Sequence, residues 1–513
     1  MAPDEDLTPP LDSVRSLVDR HATITPNSPY LLSARDGRRL SFGELLTRIV
    51  TWRRVLRSND VPSGARVGIL IGDPIDFATA FIAVLYDGSW VAPLDPTIDV
   101  TNAQKFETRT AKLHLSAVVS DRAAPLGALP WIEGRDDTKQ SPRRTTRATE
   151  SSGGLILSSS GTTGAPKVIA LTEQRLMHAA TLVAEHNLLS AEERGFNALP
   201  LWHINAEVVG LLATLVAGAS LVLDDRFHRT DFWKLIDGFE ATWINAVPAI
   251  ISRVATLNDG EIVPSRLRFV RSASAPLSPA LMTTFESNTG VVIVESYGMT
   301  EAGSQICVNP LEGLRKIGSV GPPVGVELRI TPLEDLTEDA SGVTPAGAVG
   351  HVEIRGPSVI TRYDAQGYED RFDVEGWLKT GDLGYLDEDG YLFLVGRNDD
   401  VINRGGEKIF PREIEDLILA TPDVVAAVVV GAPDDVFGQV PVLYVQFEAA
   451  LDSHILDQRV KSIREVLEES FSRARRPVRI VVVESFPSHA TGKIQRRALA
   501  DNTNAVLMER DVV

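Results

Sequence analysis

The chain has 513 residues, of which 43% are hydrophobic and 23% charged, and its formal net charge is -18. That length suggests about three domains with ordinary buried cores. The acidic balance disfavours nucleic acid or an anionic membrane surface as a partner. The single cysteine, Cys307, excludes a disulfide framework or a zinc-ribbon pattern; flanked by Ile306 and Val308, it reads as a small buried hydrophobe.

The opening residues, Met1 to Pro10, are acidic and proline-rich and lack the basic start and apolar centre of a secretory signal. Ser41 to Leu56 reads as a helix, with Glu44 three residues after Ser41 in a capping-box spacing. Val67 to Ile71 reads as a buried strand and Phe77 to Tyr86 as a helix. The polar stretch Gly134 to Gly153 reads as a loop leading into a short apolar strand, Gly154 to Leu157. The longest apolar run, Val208 to Leu223, is short of the roughly 20 residues a bilayer crossing needs. Its Gly210 and Gly218 suit a buried helix turning into a strand. A cytoplasmic protein without a membrane span is the expectation.

From Leu171 to Ile330 strand and helix patterns alternate. Strands at Ala219–Leu223, Ala241–Ala246, Leu267–Ser272 and Val291–Glu295 imply mainly parallel sheets with covered faces. Short alternating strands with glycine turns follow from Gly347 to Val395. After Gly396 comes a compact α+β pattern: a helix opening on Pro411, strands at Val424–Gly431 and Val440–Phe447, and a helix at Leu456–Phe471.

Four segments carry chemistry. Ser158, Ser159, Ser160, Gly161, Thr162, Thr163, Gly164, Ala165, Pro166 and Lys167 place hydroxyls, glycines and a lysine together after a strand. Such a loop can turn N–H and O–H groups toward phosphate oxygens, although its spacing is not that of the NTPase P-loop. A flexible linker would need neither the Pro-Lys nor the flanking apolar runs. Ser296, Tyr297, Gly298, Met299, Thr300 and Glu301 follow a strand end, where ligands of α/β sheets bind. Tyr297 offers a flat face to a base, Thr300 a hydroxyl to a phosphate and Glu301 a hard oxygen to Mg²⁺. A plain strand-to-helix turn would have the same pattern. Asp382, in Trp377-Leu-Lys-Thr-Gly-Asp382, can accept from two ribose hydroxyls or stabilise its own glycine turn. Arg404-Gly405-Gly406-Glu-Lys lets a backbone pass close to a ligand.

In these segments the chain resembles the adenylate-forming superfamily of acyl-CoA synthetases, peptide-synthetase adenylation domains and beetle luciferases. The resemblance spans nearly the whole sequence and is nearest to the oxalate–CoA and fatty acid–CoA ligase branch. It implies an α/β fold: a large N-terminal domain of parallel-rich sheets with covering helices and a small β-barrel-like part, then a small mobile α+β C-terminal domain. The boundaries expected are 1–396 for the first domain, 397–400 for a hinge pivoting at Asp399, and 401–513 for the second. ATP, Mg²⁺ and coenzyme A are the implied cofactors, and a small-molecule carboxylic acid the partner, in a monomer or homodimer. The serine-rich loop and Lys167 would grip the β- and γ-phosphates. Ser274, Ala275 and Pro276 would border the adenine that Tyr297 stacks on, and Arg397 would reach ribose and phosphate. Glu301 would ligate Mg²⁺, with Thr163 as a further candidate. Gly405 and Gly406 would pass the pantetheine arm.

The same resemblance makes Lys493, in Ala490-Thr-Gly-Lys493, the lysine that bridges acid and α-phosphate during adenylation. It makes His203 a gate between acyl pocket and thiol tunnel, where a lone histidine could equally be a core residue. Trp202, Asn205, Val208, Val209, Leu212 and Ser304 are the acyl-pocket candidates. The apolar character of Ile204 to Leu215 points to a hydrophobic monocarboxylate. Oxalate is disfavoured because that branch has a histidine where this chain has Ser304. The expected activity is therefore acid–CoA ligation through an acyl-AMP. The alternative is a stand-alone adenylating enzyme that loads a separate acyl carrier protein, since no carrier domain follows Lys493.

Overall fold

A computed structural model describes residues 12–97, 106, 110–121, 131–133, 153–159, 167–333, 344–365, 367–447, 453–487, 494–501 and 506–511. Among these residues the strands form four sheets. The first joins eight strands in the order Cys307–Val308, Val292–Tyr297, Phe269–Ser272, Trp243–Ala246, Arg194–Asn197, Ser220–Leu223, Pro29–Ser33 and Arg39–Ser41. Its interior pairs are parallel and its two edge pairs antiparallel. Parallel strands need crossovers and faces covered by helices, which is why their sequences read as near-continuous apolar runs.

The second sheet orders Trp131–Glu133, Ala117–Ser120, Arg66–Leu70, Trp90–Pro93, Gly154–Ser159 and Lys167–Thr172. Only its last pair is antiparallel, so the serine-rich segment joins the two arms of a hairpin. Helices cover both sheets. Phe42–Ser58 starts with the capping box expected at Ser41: the Ser41 hydroxyl accepts from the Glu44 N–H, and the Glu44 carboxylate accepts from the Ser41 N–H. Pro74–Tyr86 starts on an Asp73 cap with proline in its first turn.

The apolar run after Glu207 divides as its glycines suggest. A π-helical turn, Ala206–Leu212, continues into the helix Ala213–Ala217, and Gly218 (φ +67°) turns the chain into the strand Ser220–Leu223. The smaller β part downstream is an antiparallel sheet of Glu327–Pro332, Gly350–Arg355, Leu378–Leu386 and Leu392–Arg397. A short 3-10 turn, Asn398–Asp400, leads to the C-terminal sheet, which begins at Ile402–Arg404. That sheet has its own core, including Ile402, Ile414, Leu443, Ile463 and Ile480. The helix Pro411–Ile418 packs against it and also reaches the N-terminal part. No described helix is long and apolar enough to cross a membrane.

Candidate active site

The strands Phe269–Ser272 and Val292–Tyr297 run parallel and end together. Their ends are fastened by the Ser296 hydroxyl, which donates to the Ser272 carbonyl at 3.0 Å. Beyond Tyr297 the chain doubles back through the 3-10 turn Thr300–Ala302. The Ser304 N–H donates to the Met299 carbonyl (3.1 Å) and the Ile306 N–H to the Tyr297 carbonyl (2.8 Å). This fold-back needs glycine at 298, because a Cβ there would stand 1.5 Å from the Ser304 carbonyl oxygen. Two non-glycine residues at its borders, Ser274 (φ +73°) and Ser304 (φ +85°), are held in the left-handed region. Such strain clusters where surrounding structure fixes a ligand site.

Tyr297 is tied across to the antiparallel sheet. Its hydroxyl donates to Asp382 Oδ2 at 2.5 Å. Burial and the neighbouring carboxylate push the phenol well above its ordinary range, so it remains a donor. Asp382 lies within the strand Leu378–Leu386 rather than in a free glycine turn. Thr380, Gly381 and Asp382 fall between the pairs Glu353–Lys379 and His351–Leu383, so the strand bulges there, with Gly381 at φ +83°. The bulge aims Asp382 at Arg397, its register partner, whose Nε lies 3.6 Å from Asp382 Oδ1.

Lys167, at the foot of the serine-rich hairpin, completes the ring. Its Nζ stands 5.5 Å from the Tyr363 ring and 5.4 Å from the Tyr368 ring. Burial lowers its pKa, Arg371 and Arg397 add to the lowering, and Glu301 and Asp399 oppose it. Lys167, Glu301, Arg397 and Asp399 thus lie close enough for their charges to act on one another. Glu301 is buried, and its Oε1 accepts from the Tyr363 hydroxyl at 2.9 Å. The result is a cluster of hydroxyls, cations and two hydrogen-bonded carboxylates, Asp382 and Glu301, around a flat tyrosine.

Comparison with known proteins decides what such a cluster belongs to. A family model described as AMP-binding enzyme matches residues 18–364, and one for the AMP-binding enzyme C-terminal domain matches 413–493. The chain belongs to the AMP-binding enzyme family. It is 33% identical to the sulfoacetate–CoA ligase of Cupriavidus necator over 96% of this chain and 98% of that protein. With the oxalate–CoA ligase of Arabidopsis thaliana it shares 32% identity over 88% of this chain and 90% of that one. The o-succinylbenzoate coenzyme A synthetase of Bacillus subtilis, solved with ATP and magnesium ion, superimposes with a TM-score of 0.78 at 25% identity, covering 94% of this chain and 98% of that one. The chain is thus an AMP-forming acyl-CoA synthetase that uses ATP and CoA.

In this ligase several expected site residues come together: Ser296, Tyr297, Gly298, Met299, Thr300, Glu301, Lys167, Asp382 and Arg397. Ser158 and Ser159 end the strand that leads to them. Ser160 to Pro166 and Lys493 lie outside the described residues. Asn205, Val208, Val209 and Leu212 are buried, and His203 is half-buried beside Trp202, with ring centroids 6.1 Å apart. Trp202 lines a small cleft with Pro74, Phe77 and Asp224. Gly405 and Gly406 are exposed, at φ +59° and +96°. Glu207, the carboxyl of the apolar stretch, is fully buried, neither oxygen has a hydrogen-bond partner, and burial pushes its pKa well up.

Tyr363, Tyr368 and Arg371 enter the neighbourhood without a sequence signal, since they lie outside any motif, Arg371 at the end of the 3-10 turn Glu369–Arg371. A buried cation on the strand Phe269–Ser272, Arg271, was also missed. Its signal was a charge inside an otherwise apolar strand run.

Proposed function

We propose that the Tyr297, Glu301, Asp382, Arg397 and Lys167 cluster is where this ligase activates its carboxylic acid. The observation that carries the reading is the Tyr297–Asp382–Arg397 chain: a planar ring, a carboxylate and a guanidinium, joined at the edge of a glycine-tight fold-back. Tyr297 stacks the adenine, and Asp382 and Arg397 take the ribose hydroxyls. Lys167 and the hydroxyls of its hairpin hold the β- and γ-phosphates, and Thr300 the α-phosphate. Glu301 fits Mg²⁺: it is a hard carboxylate already oriented by the Tyr363 hydroxyl. When bound there, the ion would offset part of the triphosphate charge.

The physical obstacle is an anion attacking an anion. One acid oxygen forms a bond to the α-phosphorus as the bond to the β-phosphate bridge breaks, giving acyl-AMP and pyrophosphate. Lys493 supports the charge gathered between acid and α-phosphate. The second half-reaction joins the CoA sulfur to the acyl carbon and releases AMP. Lys493 belongs to the C-terminal domain, so rotation about Asp399 removes it from the site and brings Gly405 and Gly406 to the pantetheine arm. His203 gates the thiol's approach to the acyl pocket.

The test is pyrophosphate release and thioester mass with ATP, Mg²⁺ and a panel of acids, with and without CoA. The panel includes sulfoacetate and oxalate, for which two relatives are named, and longer hydrophobic acids. Pyrophosphate from no acid would overturn the assignment of this cluster. Acyl-AMP that never becomes acyl-CoA would transfer the second step to a carrier protein.

A further inference from the structure

Arg271 is fully buried on the strand Phe269–Ser272, one residue before the turn that leads to Ser274. Among the described residues it has no carboxylate partner. Its two terminal nitrogens meet only amide oxygens, Gln305 Oε1 at 2.8 Å and Asn187 Oδ1 at 3.4 Å. Burial lowers its pKa to about 10, which leaves the guanidinium charged at neutral pH. A buried cation without a counter-ion is costly, and removing one from water is repaid only by a partner of opposite charge.

The orphaned atoms around it show what is missing. Arg271 Nε, Asn187 Nδ2 and Gln305 Nε2 are all buried and have no hydrogen-bond partner among the described residues. The amide orientations are fixed, because an arginine only donates and so both amides must turn their oxygens to it. Three unused N–H donors therefore gather around one positive charge. That is a set built for an acceptor with several oxygens.

The cluster also adjoins the expected acyl pocket. Arg271 pairs in register with Asn245 and Val294, so the three share one face of the sheet. Asn245 Nδ2 donates to Asn205 Oδ1 at 2.7 Å, and Val209 packs with Trp243, Phe269 and Val294 on that face. Gln305 directly follows Ser304. Asn205, Val209 and Ser304 are three of the acyl-pocket candidates; Arg271 reaches Asn205 through its register partner Asn245, and Ser304 through its hydrogen-bond partner Gln305.

We propose that Arg271, with Gln305 and Asn187, is a specificity site for a second anionic group at the far end of the acid, so that the substrate is a short acid bearing a distal carboxylate or sulfonate. The apolar stretch Ile204 to Leu215 by itself suggested a hydrophobic monocarboxylate; the uncompensated cation and its three free donors are why we choose otherwise. This proposal rests on the adenylation reading above.

The experiment compares kcat/KM for pyrophosphate release with sulfoacetate, malonate and succinate against neutral acids of similar size: methylsulfonylacetate, monomethyl malonate and butyrate. At least one charged acid should exceed its neutral counterpart by about 30-fold or more, the range of a charge-assisted pair. Arg271→Met should erase that preference through KM while turnover of the neutral acid holds or improves, and Gln305→Leu should lower it partially. The sulfonate and carboxylate arms tell which distal group the site takes. Neutral acids as the better substrates of the unmodified enzyme would overturn the proposal, whatever becomes of the variants. So would an Arg271→Met enzyme that keeps the preference, which is the result a purely structural bridge between Asn187 and Gln305 predicts. Silence with every acid would instead count against the adenylation reading.

Discussion

Glu295 offers a test worked directly from the structure. It is buried in the strand that ends at Tyr297, two residues before that ring. Burial raises its pKa to about 7; the Arg412 charge and the Leu277 N–H favour the ionised form, and Asp416 opposes it. Arg412 and Asp416 belong to the helix Pro411–Ile418, which follows the 3-10 turn Asn398–Asp400. In the unfolded chain the carboxyl returns to its ordinary 4.5. Between these values the folded protein holds a proton that the unfolded chain has released, so stability falls as pH rises across the window. The gap from 4.5 to about 7, at about 1.4 kcal/mol per pH unit, gives about 3 kcal/mol of lost stability by pH 8. Glu295→Gln keeps an acceptor for the Leu277 N–H and removes the titration. Urea unfolding followed by tryptophan fluorescence at pH 5, 6, 7 and 8 should give curves that converge at pH 5. At pH 8 the variant should be the more stable, by up to that amount. Parallel stability-against-pH curves for the two proteins would refute the reasoning.

Three further outcomes are expected. Lys493→Ala should reduce pyrophosphate release by at least about a hundredfold while thioester formation from a supplied acyl-adenylate is little changed, read by rapid-quench analysis of each half-reaction. Equal loss of both steps would refute the domain rotation. Asp382→Asn should raise the KM for ATP about tenfold or more, with a smaller effect on the KM for the acid, in steady-state kinetics. Gly298→Ala should lose adenylation and lower the melting temperature together, because the new methyl collides with the Ser304 backbone. Gly238→Ala, where the added methyl meets nothing within 4 Å, should leave both unchanged.

The nucleotide side of the site was legible because its constraints are local. Gly298 is required by a backbone oxygen six residues on, and Gly381 by a bulge that aims the next residue, so both appear as short contiguous motifs. Asp382 illustrates the limit: the motif singled the residue out, but the turn expected around it is an interrupted strand, fixed by pairing with Gly350–Arg355. The capping box at Ser41 and the glycine exit at 218 were legible for the same local reason. The acid side was not. Arg271 meets partners 84 and 34 residues away, and nothing in the neighbouring sequence of any of them announces the other two. A charge in an apolar strand is visible in sequence, but whether a carboxylate answers it is a property of the folded chain.

The two strand ends that carry Tyr297 and Ser272 thus divide their labour by face. Ser272 pairs with Glu295 and Arg271 with Val294, so Arg271 and Glu295 project to opposite sides of the same sheet. On one side Arg271, with no carboxylate partner among the described residues, stands among unused donors. On the other a carboxyl near neutrality meets Arg412 from the C-terminal helix. An acid whose far anion pairs with Arg271 would be fixed to the same strand ends that we propose hold the adenine. The reverse side of those ends faces the helix Pro411–Ile418, which precedes Lys493 in the chain. Alternation of side chains along a strand is enough to let one short segment face the proposed acid site on one side and the helix Pro411–Ile418 on the other.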